Sequence, residues 1–359
     1  MLDVSTKSKA LGLLTKLLEA YSPTFHEEQA VRTLEEELLN LGYEHVEIDG
    51  VGNLIAETGK GSITVLLAGH IDTVEGQIPV KIEGDRVYGR GAVDAKGPLA
   101  AMAVAGLLAT SLISDLKVVL AALVGEEGPS HGAQFFVTRQ LDVDAIIVGE
   151  PTGLEGIAIG CRGSARIVIE CRSSGGHSAS PSIYSSACED LVSLWQIIKS
   201  RTPNGYTSTL LQLECGDSRF NIVPRYGKMV VGVRVPVSGT LESFLQALST
   251  EFSERCSYKV DSYTKPFMGK PGNPIARVLA RALALRGLKP RFVVKHGTSD
   301  MVILASLTDS IAEYGPGDPT LSHTDLEWIE LNEFYTGIEV YRDALLEFVK
   351  MEKLKYVSR

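Results

Sequence analysis

Long apolar runs are missing from this sequence, since no stretch approaches the roughly 18–20 residues that a helix needs to span a bilayer. The N-terminal segment also lacks the apolar core and the small-residue cleavage site of a signal peptide. No low-complexity tract and no repeat with a period of roughly 20–50 residues is present. These absences argue against membrane, fibrous and repeat proteins and predict a soluble protein of the cytoplasm.

An excess of positive charge is absent too, because 44 Asp and Glu outnumber 35 Lys and Arg and give a formal charge of −9. Nothing global therefore favours binding to nucleic acid. Cysteine is scarce, and the five residues are Cys161, Cys171, Cys188, Cys215 and Cys256. Their odd number and irregular spacing are typical of neither a disulfide framework nor a thiolate zinc site. We expect buried free thiols, with a disulfide as the alternative in a thermophile's cytosol.

The chain does have enough core material for two domains, with 359 residues of which 44% are hydrophobic and 22% charged. Up to about residue 160, apolar strands over Ile63–Ala68, Val118–Val124 and Ala145–Val148 alternate with helical patterns. Such continuous apolar strands indicate a sheet that is buried on both faces. Thr24 and Glu27 predict a capping box that opens a helix.

The middle of the chain predicts a different topology. The expected elements are a strand (Arg166–Cys171), a helix (Ser182–Ser200), two strands (Thr207–Leu213 and Lys228–Val235), a helix (Leu241–Ser253) and a strand (Tyr258–Ser262). This β-α-β-β-α-β order matches the split βαβ motif of a ferredoxin-like domain. We therefore expect an α/β domain formed by residues 1–160 and 265–359, with residues 161–264 inserted as a second domain.

Five short segments gather carboxylates and histidines in loops or at strand ends. They are Gly69–Thr73, Gly91–Asp94, Gly125–Gly128, Gly149–Thr152 and Ser322–Thr324. Each alone is more typical of a turn or a solvated face. Four of them closely follow an apolar strand, however, where a charged group costs several kcal/mol unless it is paired or binds a metal. Because ligands bind at the carboxyl ends of strands in open α/β sheets, the set predicts a metal site.

Two pairs within these segments suit metal chemistry. His70 and Asp72 lie two residues apart and share a face of an extended strand. This arrangement is typical of a histidine ligand that a carboxylate orients through the other ring nitrogen. Glu126 and Glu127 are adjacent and diverge in an extended chain, so one can bind metal while the other faces a water molecule.

Taken in order over nearly the whole chain, the segments resemble the dinuclear zinc aminoacylase and carboxypeptidase family. The string Val87–Pro98 and the segment Gly297–Met301 look most like its amino-group-carrier-protein–lysine hydrolases. Those enzymes release lysine, and sometimes ornithine, from the γ-glutamyl C-terminus of an acidic carrier protein. The resemblance implies a zinc-peptidase-like α/β catalytic domain and an inserted ferredoxin-like domain that acts as a lid and forms a homodimer.

The resemblance also implies a metal centre with two divalent ions, Zn²⁺ or Co²⁺. Asp94 would bridge the two ions. Glu127 and His323 would complete one site, and His70 and Glu150 would complete the other.

The remaining roles follow from the same resemblance. Glu126 would act as the general base, and Asp72 would orient His70. His177 would reach the active site of a neighbouring subunit and stabilise the oxyanion. The substrate would contact four polar residues, which are Asn221, Arg234, Thr298 and Ser299.

A basic stretch follows the inserted segment, with eight Lys or Arg residues and no Asp or Glu between Lys265 and Ser299. Such a patch suits docking of an acidic protein partner, although a solvated helix face explains the charge equally well. Together with the resemblance, it favours docking of the carrier protein.

Other functions compete with this interpretation. A small-molecule N-acyl amino acid deacylase, of the acetylornithine or succinyl-diaminopimelate type, would use the same metals. A metal-free serine hydrolase is less favoured, because the segments around Ser178 and Ser299 lack the final glycine of a nucleophile elbow. Residues Gly91–Lys96 are one residue short of a nucleotide-binding P-loop. A non-catalytic metal protein would not need Glu126 beside a full ligand set.

Overall fold

The computed structural model describes residues 1–180, 182–216, 219, 221–249, 252, 254–270 and 272–357. The chain divides into two compact units. The first comprises Met1–Ile159, Gly269–Val293 and Ser299–Arg359, and the second comprises Gly160–Met268 and Val294–Thr298. The first unit is therefore built from both ends of the chain. The second contains the whole predicted insertion and also takes in a short later segment.

The described residues form helices, strands and two short 3₁₀ helices. The α-helices are α1 (Val4–Glu19), α2 (Glu28–Leu41), α3 (Lys96–Leu112), α4 (His131–Phe136), α5 (Ala187–Arg201), α6 (Leu241–Leu248), α7 (Pro274–Ala284), α8 (Met301–Leu304) and α9 (Leu331–Val357). The 3₁₀ helices are Val137–Arg139 and Pro319–Leu321. None of the helices in the described ranges combines the length and the apolar character that crossing a membrane requires.

The strands are numbered in chain order. They are β1 (His45–Ile48), β2 (Leu54–Thr58), β3 (Ile63–His70), β4 (Lys81–Glu83), β5 (Arg86–Tyr88), β6 (Leu116–Leu123), β7 (Ala145–Gly149), β8 (Gly156–Cys161), β9 (Gly163–Arg172), β10 (Gly176–His177), β11 (Thr207–Cys215), β12 (Ile222–Val223), β13 (Tyr226–Val235), β14 (Cys256–Thr264), β15 (Phe267–Met268), β16 (Arg291–Lys295), β17 (Ile311–Tyr314) and β18 (Trp328–Glu330).

A mixed sheet forms the centre of the first unit, with strand order β1-β2-β6-β3-β7-β17-β8. Strands β6, β3, β7 and β17 run parallel, whereas β1, β2 and β8 pair antiparallel. Almost every residue of β3 and β6 is buried, as their continuous apolar sequences predict. The mixed α/β fold is therefore confirmed, and the parallel strands bring their carboxyl ends to one edge.

Helix α3 is buried along most of its length because its sequence is rich in alanine and glycine. These small side chains allow α1, α9 and the sheet strands to pack closely around it. Its first residue, Lys96, lies two positions after Asp94. The helix therefore anchors one end of the loop that carries a predicted metal ligand.

The predicted capping box before α2 is wrong. Glu27 is the N-cap residue, yet no side chain caps the helix. The Thr24 hydroxyl instead donates to Asp72 Oδ2 at 2.8 Å, and Glu27 Oε1 accepts from the Phe25 amide at 2.9 Å. A tertiary partner, the buried carboxylate of Asp72, competes successfully for the hydroxyl that the local pattern assigned to the helix.

The second unit contains an antiparallel sheet with strand order β11-β13-β9-β14. Helices α5 and α6 contribute to its separate hydrophobic core. The β-α-β-β-α-β order of the ferredoxin-like interpretation is therefore confirmed. Helix α6 ends at Leu248, earlier than predicted, and the predicted end at Ser253 falls outside the described residues.

The expectation of five free thiols is wrong. Cys171 pairs with Cys256, and Cys188 pairs with Cys215, whereas Cys161 is buried and takes part in neither disulfide. The first bond joins residues that face each other on β9 and β14, with Cα atoms 4.1 Å apart. Because strand pairing created this proximity, the spacing of the cysteines in the sequence gave no sign of it.

Candidate metal centre

The predicted ligands of the first unit meet at the carboxyl edge of its sheet. His70 is the last residue of β3, Glu126 and Glu127 follow β6, and Glu150 directly follows β7. Strand β3 lies between β6 and β7 and is parallel to both. The strand topology therefore brings together side chains that are widely separated in the sequence.

His70 lies at the centre of this cluster and is almost completely buried. Its Nε2 atom lies 3.2 Å from Asp94 Oδ1 and 3.9 Å from Glu150 Oε1. Its Nδ1 atom lies 2.9 Å from the backbone oxygen of Asp72 and 3.5 Å from Asp72 Oδ1. Nε2 thus faces the carboxylate cluster, while Nδ1, on the other side of the ring, contacts Asp72.

Asp94 lies between two histidines. While its Oδ1 faces His70, its Oδ2 lies 3.4 Å from His323 Nε2. His323 Nε2 also lies 2.7 Å from Glu127 Oε1. The hydrogen bonds to Asp94 and Glu127 raise the pKa of His323 to about 10. The two oxygens of Asp94 consequently face opposite halves of the cluster, as a bridging carboxylate requires.

The donor set fits a pair of divalent cations. Ligand atoms of His70, Glu126 and Glu150 lie within 4.8 Å of one another, and so do those of His70, Asp94 and Glu127. So many carboxylates at close range repel one another unless cations offset their charge. Imidazole nitrogen and carboxylate oxygen are ligands that Zn²⁺ and Co²⁺ accept. The chemistry of the site therefore supports divalent metal binding.

Asp72 holds the loop that carries both adjacent glutamates. Its Oδ1 accepts from the Glu126 amide at 3.0 Å, and its Oδ2 accepts from the Glu127 amide at 3.1 Å and from the Thr24 hydroxyl. Burial opposes ionisation of Asp72, but hydrogen bonds from His70 and these donors outweigh it and lower its pKa. Asp72 therefore positions the loop as well as contacting His70.

Glu126 has the environment of a proton acceptor. Burial raises its pKa well above the usual range of a carboxyl group; His70 opposes this rise, and Glu150 and Asp300 add to it. A carboxylate with a raised proton affinity suits general-base chemistry near neutral pH. Asp300, which no motif marked as a site residue, is also buried.

A buried pair beside the centre, Arg90 and Glu327, was also not predicted from the sequence. The Glu327 carboxylate accepts from Arg90 Nη1 at 3.0 Å and from the backbone amides of the loop that ends at Asp94. Burial raises the pKa of Glu327, while the backbone hydrogen bonds oppose the rise. The only signal in the sequence was the position of Glu327 shortly after His323.

In the second unit, the structure brings together two pairs of predicted residues. His177 on β10 pairs with Ile222 on β12, next to Asn221. Arg234 Nη1 donates to the Thr298 hydroxyl at 3.0 Å, and the same hydroxyl donates to the backbone oxygen of Arg162. Arg162, which sequence reasoning missed, therefore belongs to the same cluster.

Ser299, in the first unit, does not present its side chain on the surface. It is 4% exposed, and its hydroxyl donates to Glu313. The next residue, Asp300, is the N-cap residue of α8. A contact between the Ser299 side chain and a substrate stays a prediction, and the hydrogen bond to Glu313 gives this serine a partner within the fold.

Comparison with known proteins identifies relatives over almost the whole chain. The family model described as peptidase family M20/M25/M40 matches residues 66–347. A protein of Saccharolobus solfataricus named [LysW]-lysine/[LysW]-ornithine hydrolase is 34% identical over 345 residues, which cover 95% of this chain and 96% of the relative. A protein of Aeropyrum pernix, to which the same name is provisionally given, is 39% identical over 346 residues, or 96% and 97% of the two chains.

Solved structures share the fold. An M20 family metallo-carboxypeptidase from Sulfolobus solfataricus, Sso-CP2, superimposes with a TM-score of 0.76. The match covers 94% of this chain and 99% of that one, at 18% sequence identity. At this identity the likeness shows the shared fold.

Proposed function

Because the chain belongs to peptidase family M20/M25/M40, we propose that it is a cytoplasmic, dinuclear metal hydrolase that releases lysine, ornithine or both from the LysW carrier protein. The observation that carries this proposal is the name shared by relatives 34% and 39% identical over nearly the full length of both chains. The site supports the same chemistry. A place in lysine and arginine biosynthesis follows from such a reaction.

In this proposal five residues hold the metals. Asp94 would contribute to both ions, Glu127 and His323 would hold one of them, and His70 and Glu150 would hold the other. The opposed directions of the two Asp94 oxygens support this assignment. Two bound Zn²⁺ or Co²⁺ ions would polarise the scissile carbonyl and make water a stronger nucleophile.

Glu126 is proposed to take a proton from the attacking water at its carboxylate and to give it to the leaving amine. Asp72 positions the backbone that carries this carboxylate, because it accepts hydrogen bonds from the backbone amides of both Glu126 and Glu127. The amide bond between the carrier's terminal γ-carboxyl group and the amino acid is thereby cut, and the amino acid is released.

The second unit is proposed to supply substrate contacts and a homodimer interface. His177 would stabilise the oxyanion in a neighbouring subunit, and Asn221, Arg234 and Thr298 would bind polar groups of the substrate. Strand β11 lies at an edge of its sheet, where Leu211 and Leu213 are 53% and 43% exposed. An exposed apolar edge strand of this kind suits pairing with a second copy of the chain.

The basic stretch supports docking of an acidic carrier only in part. Arg281 forms an ion pair with Glu347, and Arg286 forms ion pairs with Glu339 and Asp343, all on α9. Much of the charge on α7 is therefore neutralised within the fold. Lys289 and Arg291 are exposed and form no ion pair among the described residues.

Exposed apolar side chains lie close to those two cations in the sequence. Leu285 is 67% exposed, Phe292 54% and Val293 37%. A cationic surface with exposed apolar groups suits an acidic protein, because charge steers the encounter and apolar contact holds the complex. We propose that the carrier docks on this surface, formed by Lys289, Arg291, Leu285 and Phe292.

A small-molecule N-acyl amino acid deacylase is the second candidate, since it would use the same metal centre. A serine hydrolase receives less support from the geometry. Ser299 is buried and its hydroxyl donates to Glu313, so it lacks the exposed hydroxyl of an activated nucleophile.

Amino acid release from three substrates tests the proposal. We would load the purified protein with Zn²⁺ or Co²⁺ and offer carrier-linked lysine, N-acetylornithine and N-succinyl-diaminopimelate, each with and without a chelator. Release of lysine from the carrier alone, abolished by the chelator, is expected. Activity restricted to a small acylated substrate would support metal-dependent hydrolysis but would exclude the carrier protein as the substrate. Activity that survives the chelator would support a serine hydrolase.

A further inference from the structure

A buried ion pair joins two segments on which the proposed metal centre depends. The side chains of Arg90 and Glu327 are 4% and 1% exposed, and Arg90 Nη1 lies 3.0 Å from Glu327 Oε2. Well-packed apolar residues often stabilise a fold as effectively as such a pair. The contacts of the pair indicate a more specific role than stability.

Glu327 determines the course of the loop between β5 and α3. Its Oε1 accepts from the amides of Val93 and Asp94 at 2.9 and 3.0 Å, and its Oε2 accepts from the Gly91 amide at 3.1 Å. Its backbone oxygen also accepts from the Gly89 amide at 3.2 Å. One residue thus binds four amides of the loop that ends in Asp94.

Arg90 ties the same loop to the segment that carries His323. Its Nη1 atom donates to the backbone oxygen of Thr324 at 2.8 Å as well as to Glu327. Thr324 directly follows His323. The pair therefore connects the loop that ends in Asp94 with the segment that carries His323, and the Oδ2 and Nε2 atoms of these two residues lie 3.4 Å apart.

We propose that Glu327, together with Arg90, is a positioning residue that prearranges Asp94 and His323 to bind one of the two metal ions. The proposal rests on the proposed function for the identity of these two ligands. Groups that orient metal ligands typically change metal affinity about 10- to 100-fold when they are removed. Glutamine cannot replace Glu327, because its NH₂ group would face amide donors where a carboxylate oxygen accepts.

Zinc binding to Glu327→Gln tests this role. The metal-free protein would be titrated with Zn²⁺ against a chromophoric chelator, at a temperature where circular dichroism shows it folded. We expect one of the two Zn²⁺ sites to bind about 10- to 100-fold more weakly than in the unmodified protein. Glu330→Gln is the matched control, because Glu330 lies three residues further along and is 46% exposed. It should bind Zn²⁺ with unchanged affinity.

Arg90→Lys provides a second variant in case Glu327→Gln does not fold. Lysine keeps the charge, but its single ammonium group cannot donate to the Gly76 oxygen, which Arg90 Nε binds, as well as to Glu327 and Thr324, which Nη1 binds, so one site should again bind more weakly. Normal affinity at both sites in the folded variants would overturn the positioning role and leave the proposed function standing. An unmodified protein that binds neither Zn²⁺ nor Co²⁺ would overturn both. If the unmodified protein binds two Zn²⁺ ions but releases no amino acid, and the variants lose affinity as expected, the result would count against the proposed function alone.

Discussion

At the scale of single residues, neighbours in the sequence have different surroundings. Burial raises the pKa of Glu126, whereas the Oε1 atom of Glu127 lies 2.7 Å from His323 Nε2. The backbone amides of both are held by Asp72. The sequence predicted that the two side chains diverge, and the loop geometry supports different roles for them.

The same substitution at these two positions should give different results. In Glu126→Gln we expect bound metal to remain at two ions per chain, while turnover falls by at least about 100-fold because the proton acceptor is lost. In Glu127→Gln, the matched control, metal content itself should fall. Elemental analysis and kcat would be measured on both. Substantial turnover by Glu126→Gln would rule out its role as the base.

Thr24 is a second test at this scale, because its hydroxyl binds Asp72 rather than capping α2. Thr24→Val should lower the free energy of unfolding by about 1.5–3 kcal/mol, the range for a hydrogen bond to a charged group. It should also lower kcat more than it changes KM, since Asp72 positions the loop of Glu126. Thr33→Val serves as the control, because that exposed hydroxyl donates only within α2. Equal effects of the two variants would contradict the role of Thr24.

At the scale of elements, long apolar or amphipathic patterns were predicted correctly, and short connecting strands were not. Helix α5 and the buried strands of both units lie where the sequence pattern placed them, with ends that differ by a few residues. Strands β4, β5 and β18 have only three residues each, so no periodic pattern could reveal them. Their pairing brings Glu327 to the loop of Asp94.

Disulfide bonds belong to this scale too, since they join elements of the second unit. Without reductant, the denatured protein should show one reactive thiol, Cys161, and with reductant it should show five. A thiol-reactive chromophore measures both counts. In Cys161→Ala, the number of reactive thiols without reductant should fall to zero. Replacing Cys171 and Cys256 together by serine should cost about 2–5 kcal/mol of unfolding free energy. Five reactive thiols without reductant would contradict the pairing.

At the scale of the whole molecule, total charge is a poor guide to binding. The chain is acidic, yet it contains a basic stretch, and the structure shows that acids on α9 neutralise part of that stretch. Reversing the charge of Arg286 would disrupt α7 and α9 regardless of any partner. A docking test must therefore use cations that are exposed and unpaired among the described residues.

Lys289→Glu combined with Arg291→Glu is such a test. For the carrier-linked substrate we expect KM to rise roughly 10-fold at low salt, with a smaller difference at high salt, because charge steers association. KM for a small acylated amino acid, if it is cleaved at all, should stay the same. Lys9→Glu with Lys259→Glu changes the net charge equally at other exposed positions. If both double variants behave alike, docking on this surface is excluded.

The sequence by itself determined which segments are apolar strands and helices, and which segments carry carboxylates and histidines at strand ends. This was possible because periodicity and local composition are properties of neighbouring residues. Only the tertiary structure decided that Thr24 binds Asp72, that Glu327 holds the loop of Asp94, and that four cysteines pair. These contacts join residues far apart in the chain, so they depend on strand order and loop packing that no local pattern encodes.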